Sequence, residues 1–266
     1  MPAIENLTSS EFEVKPKKKA KIMLFDIETA PLKMAAWKWW ETTGVWLDAD
    51  WYMLGWSCKE LDGKQVTRIL PDYEGYVAGS EDDSKLVAEL WQMLGSADIV
   101  VGHNIDRFDL RKTRTRALLN GEKPLAKFQT VDTLKIAKRE FAFTQNSLDA
   151  LAEYLRVPLR KMETGGKKLW RDCMEGNMAA WRKMKRYNRQ DVLVNEAVYK
   201  ELRGWTHTHP HVGIINDREE SCRNCGSNHL QKRGHSVTQT GKRPRWACQT
   251  CGAWMTGKHS KVTDIK

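Results

Sequence analysis

The sequence predicts an α/β fold, in which a mixed β-sheet is flanked by helices and a small β module follows at the C-terminus. Short apolar segments of strand length alternate with longer segments of helical periodicity along residues 21–203. Beyond residue 220 the cysteines come in pairs, and the segments between them are short and strand-like. The length of 266 residues leaves room for one domain of about 200 residues and one small satellite.

Five strands are predicted before residue 132. The segment 21–29 is mostly apolar, as expected of a strand buried at the centre of a sheet. The other four are predicted at residues 51–59, 65–70, 97–103 and 128–131. Asp62-Gly63 is a turn signal between the second and third strands, which we therefore expect to form a hairpin.

Five helices are predicted between and after these strands. Residues 84–95 place Leu86, Val87, Leu90 and Met93 on one side, which is typical of an amphipathic helix. Ser147 is a favourable N-cap for the fourth helix. The remaining helices are expected to begin near Asp106 and to span residues 132–141, 147–155 and 178–202.

These elements divide the chain into five predicted parts. They are a basic leader at 1–20, an α/β domain at 21–203, a linker at 204–220, a cysteine-rich module at 221–257 and a basic tail at 258–266. No apolar segment is long enough to span a bilayer, and the N-terminus lacks the pattern of a secretory signal. We therefore expect a cytoplasmic protein, located in the host cytoplasm if a phage encodes it.

The positive charge is concentrated at the C-terminus. The chain has a formal net charge of +10. Residues 222–266 contain nine Lys and Arg and one acidic residue, a net charge of +8, which leaves +2 for the rest. An excess of this kind favours a polyanionic partner such as nucleic acid.

Acidic residues occur at three places that together suggest a metal site. Asp26 and Glu28 lie two apart on the first predicted strand, so both side chains leave the same face. Burying two carboxylates is costly unless their charge is compensated, and a divalent cation compensates it. Tyr187 and Asp191 lie one turn apart on the last predicted helix, and Asp109 follows the fourth strand. Taken singly, each feature has a structural alternative, such as a solvated strand end or an acidic helix cap.

In this order the motifs resemble those of the DEDD exonucleases, a DnaQ-like group within the ribonuclease-H-like superfamily. The motifs are Phe25-Asp-Ile-Glu-Thr29, Asn104-x-x-x-Phe108-Asp109 and Tyr187-x-x-x-Asp191. They are similar to the proofreading domains of family B DNA polymerases and to stand-alone phage and bacterial exonucleases with a C-terminal zinc ribbon. The related histidine subclass has its histidine at the position of Arg186, so the tyrosine subclass, DEDDy, fits.

The resemblance implies a ribonuclease-H-like fold and a set of site residues. Asp26, Glu28, Asp109 and Asp191 would hold two Mg²⁺ or Mn²⁺ ions, and Tyr187 would orient the attacking water. The same motifs contain three residues expected to contact the substrate, namely Thr29, Asn104 and Phe108. For Asn104, fixing the backbone of the second motif is the alternative.

Several nearby residues have competing interpretations. Asp106 is the main rival of Asp109, which we prefer because it keeps the motif spacing, and Asp132 is expected to be structural. Six tryptophans lie between residues 37 and 56, at Trp37, Trp39, Trp40, Trp46, Trp51 and Trp56. Exposed members can stack on single-stranded bases, but for most of them we expect core packing.

Two Cys-x-x-Cys-Gly motifs predict a structural zinc site. Cys222, Cys225, Cys248 and Cys251 supply the four thiolates that tetrahedral Zn²⁺ prefers and leave no position open for a substrate. We expect the five histidines from His207 to His235 to be bystanders. The isolated Cys58 and Cys173 are expected in the core.

The segment between the two cysteine pairs is basic and resembles the hairpin of DNA-binding zinc ribbons. Its candidate nucleic-acid contacts are Lys232, Arg233, Lys242, Arg243, Arg245 and Trp246. The alternative is a ribbon that docks on the nuclease or on another protein, with its charges solvated.

The sequence therefore predicts a 3′→5′ exonuclease acting on DNA 3′ ends in replication or repair, with a replicative polymerase or other replication protein as a candidate partner. Two alternatives stay open. One is a 3′→5′ exoribonuclease on the same fold, and the other is a catalytically silent adaptor whose ribbon recruits a replication protein.

Overall fold

A computed structural model of the chain describes residues 19–38, 40, 43–239, 241–257 and 260–261. Most of the predicted basic leader and of the predicted basic tail lies outside the described residues. Within the described part of the chain, no helix is both long and apolar enough to cross a membrane.

A five-stranded mixed sheet forms the centre of the N-terminal domain. Strand β1 (Ile22–Thr29) runs antiparallel to β4 (Met53–Glu60) and parallel to β6 (Ile99–Gly102). The edges are β5 (Gln65–Ile69), antiparallel to β4, and β7 (Gln129–Asp132), parallel to β6. All five strands were predicted, and the mixed α/β sheet is confirmed.

Helices cover the sheet on both faces. In chain order they are α1 (Ser84–Gly95), α2 (Asp109–Leu119), α3 (Thr133–Glu140), α4 (Leu148–Tyr154), α5 (Lys168–Met174), α6 (Met178–Leu202) and α7 (Val212–Ile215). The predicted bounds of α1 and α6 agree with the structure, and Ser147 caps α4 as expected, since its side chain accepts a hydrogen bond from Ala150 N.

The alternation of side chains along β1 decides where the site lies. Met23, Phe25 and Ile27 belong to one hydrophobic cluster, whereas Ile22 and Leu24 belong to a second cluster on the opposite face. Because side chains of a strand alternate, Asp26 and Glu28 continue the row that Ile22 and Leu24 begin. The apolar row thus becomes acidic at the C-terminal end of the buried central strand.

Helix α2 begins three residues later than predicted. Asn104 has a left-handed backbone with φ of 62°, which breaks helical geometry before Asp109. The Asp132 carboxylate accepts hydrogen bonds from Asn104 N and Asp106 N and also from Leu134 N at the start of α3. Asp132 therefore joins the second motif to α3, in agreement with its expected structural role.

The tryptophan-rich segment contains an element that the sequence pattern did not predict. Strands β2 (Lys33–Ala35) and β3 (Trp46–Ala49) pair as a two-stranded antiparallel sheet. Trp37, Trp40 and Trp46 are exposed, so the expectation of core packing is wrong for these three. A tryptophan is buried only where the fold packs other residues against it. These three are exposed because the hairpin is a separate sheet that does not join the five-stranded sheet.

The remaining described tryptophans of this segment follow the expectation. Trp56 is fully buried in the core, and Trp51 is half-buried. Trp39 lies outside the described residues.

The C-terminal module is a small sheet whose central strand is β9 (Gly241–Cys248). It pairs with β8 (Leu230–Thr238), β10 (Trp254–Thr256) and β11 (Ser260–Lys261). This arrangement agrees with the predicted ribbon-like β module.

Segment 204–220, predicted as a linker without regular structure, contains α7 and several buried side chains. The buried His209 ring lies 2.7 Å from the Tyr199 hydroxyl, and Val212 belongs to the second hydrophobic cluster. The buried residues of this segment do not recur with a helical or strand period. The sequence pattern therefore did not predict its structure. The division of the chain into domains stays a prediction.

The cysteine-rich module packs on the end of α6. The side-chain amide of Asn224 donates to Arg203 O at 2.6 Å and to Thr206 O at 2.9 Å. Gly204 lies so close to Cys251 that an added Cβ would be 1.9 Å from the Cys251 carbonyl oxygen. Only glycine allows this approach, so the module is docked on the first domain by close packing.

Candidate active site and metal centre

Three carboxylates converge at the C-terminal end of β1. Oxygen atoms of Asp26, Glu28 and Asp191 all lie within 4.8 Å of one another. Asp26 and Glu28 come from β1, and α6 brings Asp191, which is buried, against the same face of the sheet. The structure therefore joins two motifs that are more than 160 residues apart in the sequence.

Each carboxylate has one neighbouring donor that holds it in place. Asn188 Nδ2 donates to Asp26 Oδ2 at 2.7 Å. Trp170 Nε1 donates to Glu28 Oε2 at 3.0 Å, and Lys161 Nζ lies 2.7 Å from Asp191 Oδ2.

These three supporting residues were not found from the sequence. Asn188 lies three residues before Asp191 on α6, so helical spacing was a signal that could have identified it. Trp170 and Lys161 carried no comparable signal, because α5 has no side-chain cap and Lys161 precedes it outside any helix or strand.

Burial and mutual repulsion make the carboxylates reluctant to ionise. Burial raises the pKa of Glu28 to about 8, with a further contribution from the charge of Asp191. Burial also raises the pKa of Asp26, together with the charges of Asp109, Glu28 and Asp191. The pKa of Asp191 is raised by burial although the Lys161 ammonium acts in the opposite direction. One ammonium does not balance this cluster.

Asp109 lies beside the cluster but is turned toward the backbone of β1. It is buried at the first residue of α2, and its Oδ1 accepts a hydrogen bond from Ile27 N at 3.2 Å. Burial raises its pKa to about 7. Among the described residues, the group of mutually close carboxylates does not include Asp109, because its orientation is set by the bond to β1. The rival Asp106 is bonded instead to Lys135 Nζ at 2.6 Å.

Tyr187 reaches the cluster from α6. It lies one helical turn from Asp191 on the same face of α6, and the charges of Asp191, Glu28 and Asp26 act on its phenol. Its ring meets the Trp170 ring edge-on with centroids 6.0 Å apart. Burial and the negative charge of Asp191 raise the pKa of Tyr187, so the phenol stays protonated and acts as a hydrogen-bond donor.

The chemistry of this site fits a hard divalent cation. Mg²⁺ and Mn²⁺ prefer carboxylate oxygen ligands. The three carboxylates have raised pKa values because they are buried and the protein places too little positive charge beside them. Within the described part of the chain, Asp191 Oδ1 is also buried with no hydrogen-bond partner. A cation bound between Asp26, Glu28 and Asp191 would satisfy that oxygen and the excess negative charge together.

Two of the three predicted substrate-contact residues lie together beside the acidic cluster. Thr29 Oγ1 accepts a hydrogen bond from Lys112 Nζ at 3.0 Å. The same ammonium lies 5.0 Å from the ring centroid of the exposed Phe108. Asn104 forms the left-handed turn described above, so its geometry matches the alternative of fixing the backbone. A substrate contact for these residues stays a prediction.

The four paired cysteines form a second cluster. Their sulfur atoms all lie within 4.8 Å of one another, and no disulfide joins them. The Sγ atoms of Cys222 and Cys251 are 3.6 Å apart, as are those of Cys225 and Cys248. Four sulfurs placed about 2.3 Å from one tetrahedral metal ion are separated by about 3.8 Å, so this cluster is consistent with a zinc ribbon.

The histidines that were predicted to be bystanders do not belong to the thiol cluster. His209 is hydrogen-bonded to Tyr199, and His211 accepts a hydrogen bond from Ile214 N at the start of α7. The two isolated cysteines, Cys58 and Cys173, are buried as expected.

The basic residues of the ribbon are exposed on both of its faces. Lys242 and Trp246 share one face of β9, and Lys232 lies opposite Trp246 on β8. Arg243 and Arg245 project from the other face because side chains alternate along a strand. Arg245 there lies 5.4 Å from the Trp254 ring centroid. Arg233, on β8, is exposed as well.

The fold and the acidic cluster define the class of protein. A family model of the RNase_H superfamily matches residues 23–203. The chain belongs to this superfamily, whose nucleases generally use divalent metals. The predicted ribonuclease-H-like nuclease fold is therefore confirmed.

Many solved structures resemble this chain, and one of them is a distantly related DNA polymerase. The family B DNA polymerase from the hyperthermophilic archaeon Pyrobaculum calidifontis shares 16% identity with this chain at a TM-score of 0.49. The alignment covers 83% of this chain and 31% of the polymerase chain. No curated protein sequence matches this chain.

The raised carboxylate pKa values predict that the acidic cluster destabilises the metal-free protein. The pKa of Glu28 changes from 4.5 in the unfolded chain to about 8 in the fold, so its contribution to stability is lost as pH rises through this interval. In EDTA at pH 8, we expect Glu28→Gln to raise the free energy of unfolding by on the order of a few kcal/mol. Thermal unfolding at pH 5 and pH 8 measures this, and the gain should be smaller at pH 5.

Glu175→Gln is the matched control, since Glu175 is an exposed glutamate that pairs with Arg171 and does not belong to the acidic cluster. Added Mg²⁺ or Mn²⁺ should raise the melting temperature of the wild type more than that of Glu28→Gln. A Glu28→Gln protein that is less stable than the wild type at pH 8 in EDTA would contradict the electrostatic account.

The thiol cluster predicts one tightly bound metal ion per chain, which we expect to be zinc. Cys225→Ser should lose this ion, because three thiolates and a hydroxyl bind zinc less well than four thiolates. Metal analysis of the purified protein measures the stoichiometry, and limited proteolysis should show earlier cleavage within residues 221–257. Cys173→Ala, which changes a cysteine outside the cluster, should retain one ion, and equal zinc content in both variants would refute the assignment.

Proposed function

We propose that the chain is a metal-dependent 3′→5′ exonuclease that acts on single-stranded or frayed DNA 3′ ends and releases nucleoside 5′-monophosphates. One observation carries the proposal. Two carboxylates of a buried strand and one of a long helix converge in a chain of the RNase_H superfamily, and Tyr187 lies one helical turn from the helical carboxylate. A purely structural role does not account for two buried carboxylates and a partly buried third beside a single ammonium, since unbalanced burial of charge is costly.

The chain's own residues have distinct roles in this proposal. Asp26, Glu28 and Asp191 would hold the divalent cations, with Asp109 as the adjoining fourth carboxylate. Two such cations supply stabilisation of the attacking and leaving oxygens of an in-line displacement. Asn188 and Trp170 keep the carboxylates of Asp26 and Glu28 oriented through the hydrogen bonds described above.

Tyr187 and Lys161 would act next to these ligands. A protonated phenol can orient the attacking water through a hydrogen bond, and the raised pKa of Tyr187 keeps that proton in place. Lys161 lies 5.4 Å from the Tyr187 ring centroid and 2.7 Å from Asp191. Its ammonium offsets part of the carboxylate charge where a phosphate would approach.

The direction of cleavage and the preference for DNA rest on the motif resemblance to polymerase proofreading domains. An exoribonuclease on the same fold is the second candidate, since carboxylate-held metal ions act on the phosphate and not primarily on the sugar. A silent adaptor is the third, and the presence of all the acidic motif residues together with Tyr187 argues against it.

The ribbon is proposed to bind zinc and to strengthen nucleic-acid binding. The five basic side chains of its β8–β9 hairpin are exposed on two faces, which suits contacts with phosphates along a flexible strand. Because Asn224 and Gly204 dock the module on α6, the ribbon would hold nucleic acid at a set distance from the acidic cluster.

The nuclease proposal predicts metal-dependent shortening of a 5′-labelled single-stranded DNA from its 3′ end. Asp26→Asn should abolish the ladder, and Tyr187→Phe should slow it by about 100-fold or more, because a positioned hydrogen-bonding group contributes at this level. Asp106→Asn is the control, since Asp106 pairs with Lys135 away from the cluster. Gel analysis in Mg²⁺, Mn²⁺ and EDTA measures all three.

The same assay separates the alternatives when an RNA of identical sequence is run in parallel. Shortening of RNA alone would favour the exoribonuclease. No cleavage of either strand by a folded, metal-loaded protein would contradict a nuclease and favour the adaptor.

The ribbon proposal predicts a change in the salt dependence of binding. Replacing both Arg243 and Arg245 with Gln should weaken binding and lower the slope of log affinity against log salt by about 1 for each arginine that binds a phosphate. Fluorescence anisotropy with labelled single-stranded DNA measures the slope in an Asp26→Asn background, without a chelator, so that the thiol cluster keeps its metal. Arg171→Gln, on α5 of the first domain, should leave the slope unchanged, and an unaltered slope in the double variant would exclude a phosphate-binding role for Arg243 and Arg245.

A further inference from the structure

The hairpin formed by β2 and β3 exposes more aromatic surface than a protein normally leaves in water. We call it the tryptophan hairpin and define it as the described residues between Lys33 and Ala49. Trp37 is 78% exposed, Trp40 63% and Trp46 56%. Leu32, Met34 and Leu47 beside them are exposed as well. Trp37 and Trp46 contact each other edge-on, with ring centroids 6.4 Å apart. An exposed apolar patch of this kind marks a site of contact with another molecule.

The tryptophan hairpin is attached directly to the strand that carries the acidic cluster. Three residues separate Thr29 at the end of β1 from Lys33 at the start of the hairpin. The returning chain rejoins the sheet where Ala30 N donates to Tyr52 O at 2.9 Å. Thr29 and Lys33 are four residues apart, so they cannot be separated by more than about 14 Å. The hairpin therefore begins at the edge of the candidate active site.

Aromatic and cationic side chains continue from the hairpin toward the acidic cluster. Trp51 follows the hairpin, and its ring centroid lies 4.1 Å from Lys112 Nζ. The same ammonium lies over Phe108 and donates to Thr29 Oγ1. Aromatic rings interleaved with cations are the composition that single-stranded nucleic acid binds, by base stacking and phosphate contacts.

We propose that the tryptophan hairpin is a stacking platform for unpaired bases of the strand whose 3′ end lies in the acidic cluster. This inference rests on the proposed nuclease function and assigns a substrate-binding surface to the same site. Bases upstream of the 3′ end stack on Trp37, Trp40 and Trp46, while Lys112 contacts the strand between the hairpin and the cluster.

Nucleic acid is favoured over a protein partner for two reasons. The hairpin is continuous with the candidate active site through Trp51, Lys112 and Thr29, whereas a protein-docking surface has no need of that position. Aromatic rings also dominate its exposed apolar surface, and a π-face accepts any base without regard to sequence. The nearby acidic groups are engaged within the protein, since Asp48 accepts from Trp46 Nε1 and Glu81 pairs with Lys33.

The experiment compares binding of labelled dT15 and unlabelled dT3 by the full-length protein carrying Asp26→Asn, in Mg²⁺ and without a chelator, so that the substrate is not cleaved and the remaining carboxylates can hold a cation. Trp37→Ala/Trp40→Ala should weaken dT15 binding by about five-fold for each tryptophan removed, the lower end expected for base–aromatic stacking. Affinity for dT3, measured by competition, should stay the same because three nucleotides are held by the acidic site and Lys112. Trp46 is left in place because its ring packs on Trp37 with centroids 6.4 Å apart.

Two further variants test whether stacking is the cause. Trp37→Phe/Trp40→Phe should recover most of the affinity for dT15, whereas Trp37→Leu/Trp40→Leu should not, since leucine is apolar but has no π-face. Trp205→Ala is the matched control, because Trp205 is 64% exposed but packs on Phe141 away from the hairpin.

The outcomes distinguish this inference from the nuclease proposal. Full dT15 affinity in the double alanine variant, or equal recovery by leucine and phenylalanine, overturns the platform. Unchanged affinity with an altered sedimentation coefficient overturns it in favour of self-association. If the wild type binds dT15 through the hairpin but cleaves no DNA or RNA in Mg²⁺ or Mn²⁺, the nuclease proposal fails and the binding surface stands by itself.

Discussion

The structure depends on one unfavourable interaction, the repulsion among buried carboxylates at the end of the central strand. Along one face of β1 the side chains change from Ile22 and Leu24 to Asp26 and Glu28, and α6 adds Asp191. Such a cluster persists only where the surrounding fold holds it, because separating the charges would require moving the central strand or the longest helix. The carboxylates that repel one another are also the oxygen ligands that a divalent cation prefers.

Helix α6 connects the acidic cluster with the module that contains the thiol cluster. Asp191 lies near its middle, and Arg203, at its C-terminal end, accepts the hydrogen bond from Asn224 of the cysteine-rich module. Twelve residues of helix correspond to about 18 Å, so the docked module is held at a set distance from the acidic cluster. The first domain and the ribbon therefore form one continuous packed unit through the segment that the sequence suggested was a loose linker.

The sequence predicted correctly the features that depend on local interactions and missed those that depend on contacts between distant residues. The five strands, the bounds of α1 and α6 and the cap at Ser147 depend on local periodicity and local hydrogen bonds, and all agreed with the structure. The β2–β3 hairpin and α5 were missed because neither has a clear period or a capping side chain. Exposure of Trp37 and Trp46 was misjudged since the indole ring suits a core and a binding surface equally.

The sequence by itself determined which residues lie together locally. The two-residue period of a strand places Asp26 beside Glu28, and one turn of a helix places Tyr187 beside Asp191. A tight turn brings together the two cysteines of each pair. Tertiary structure alone decided that Asp109 turns to the backbone of Ile27, and that Lys161 and Trp170 join the cluster. The physical reason is distance along the chain. Trp170 and Glu28 are 142 residues apart, and no local pattern encodes a contact that exists only after the helices pack on the sheet.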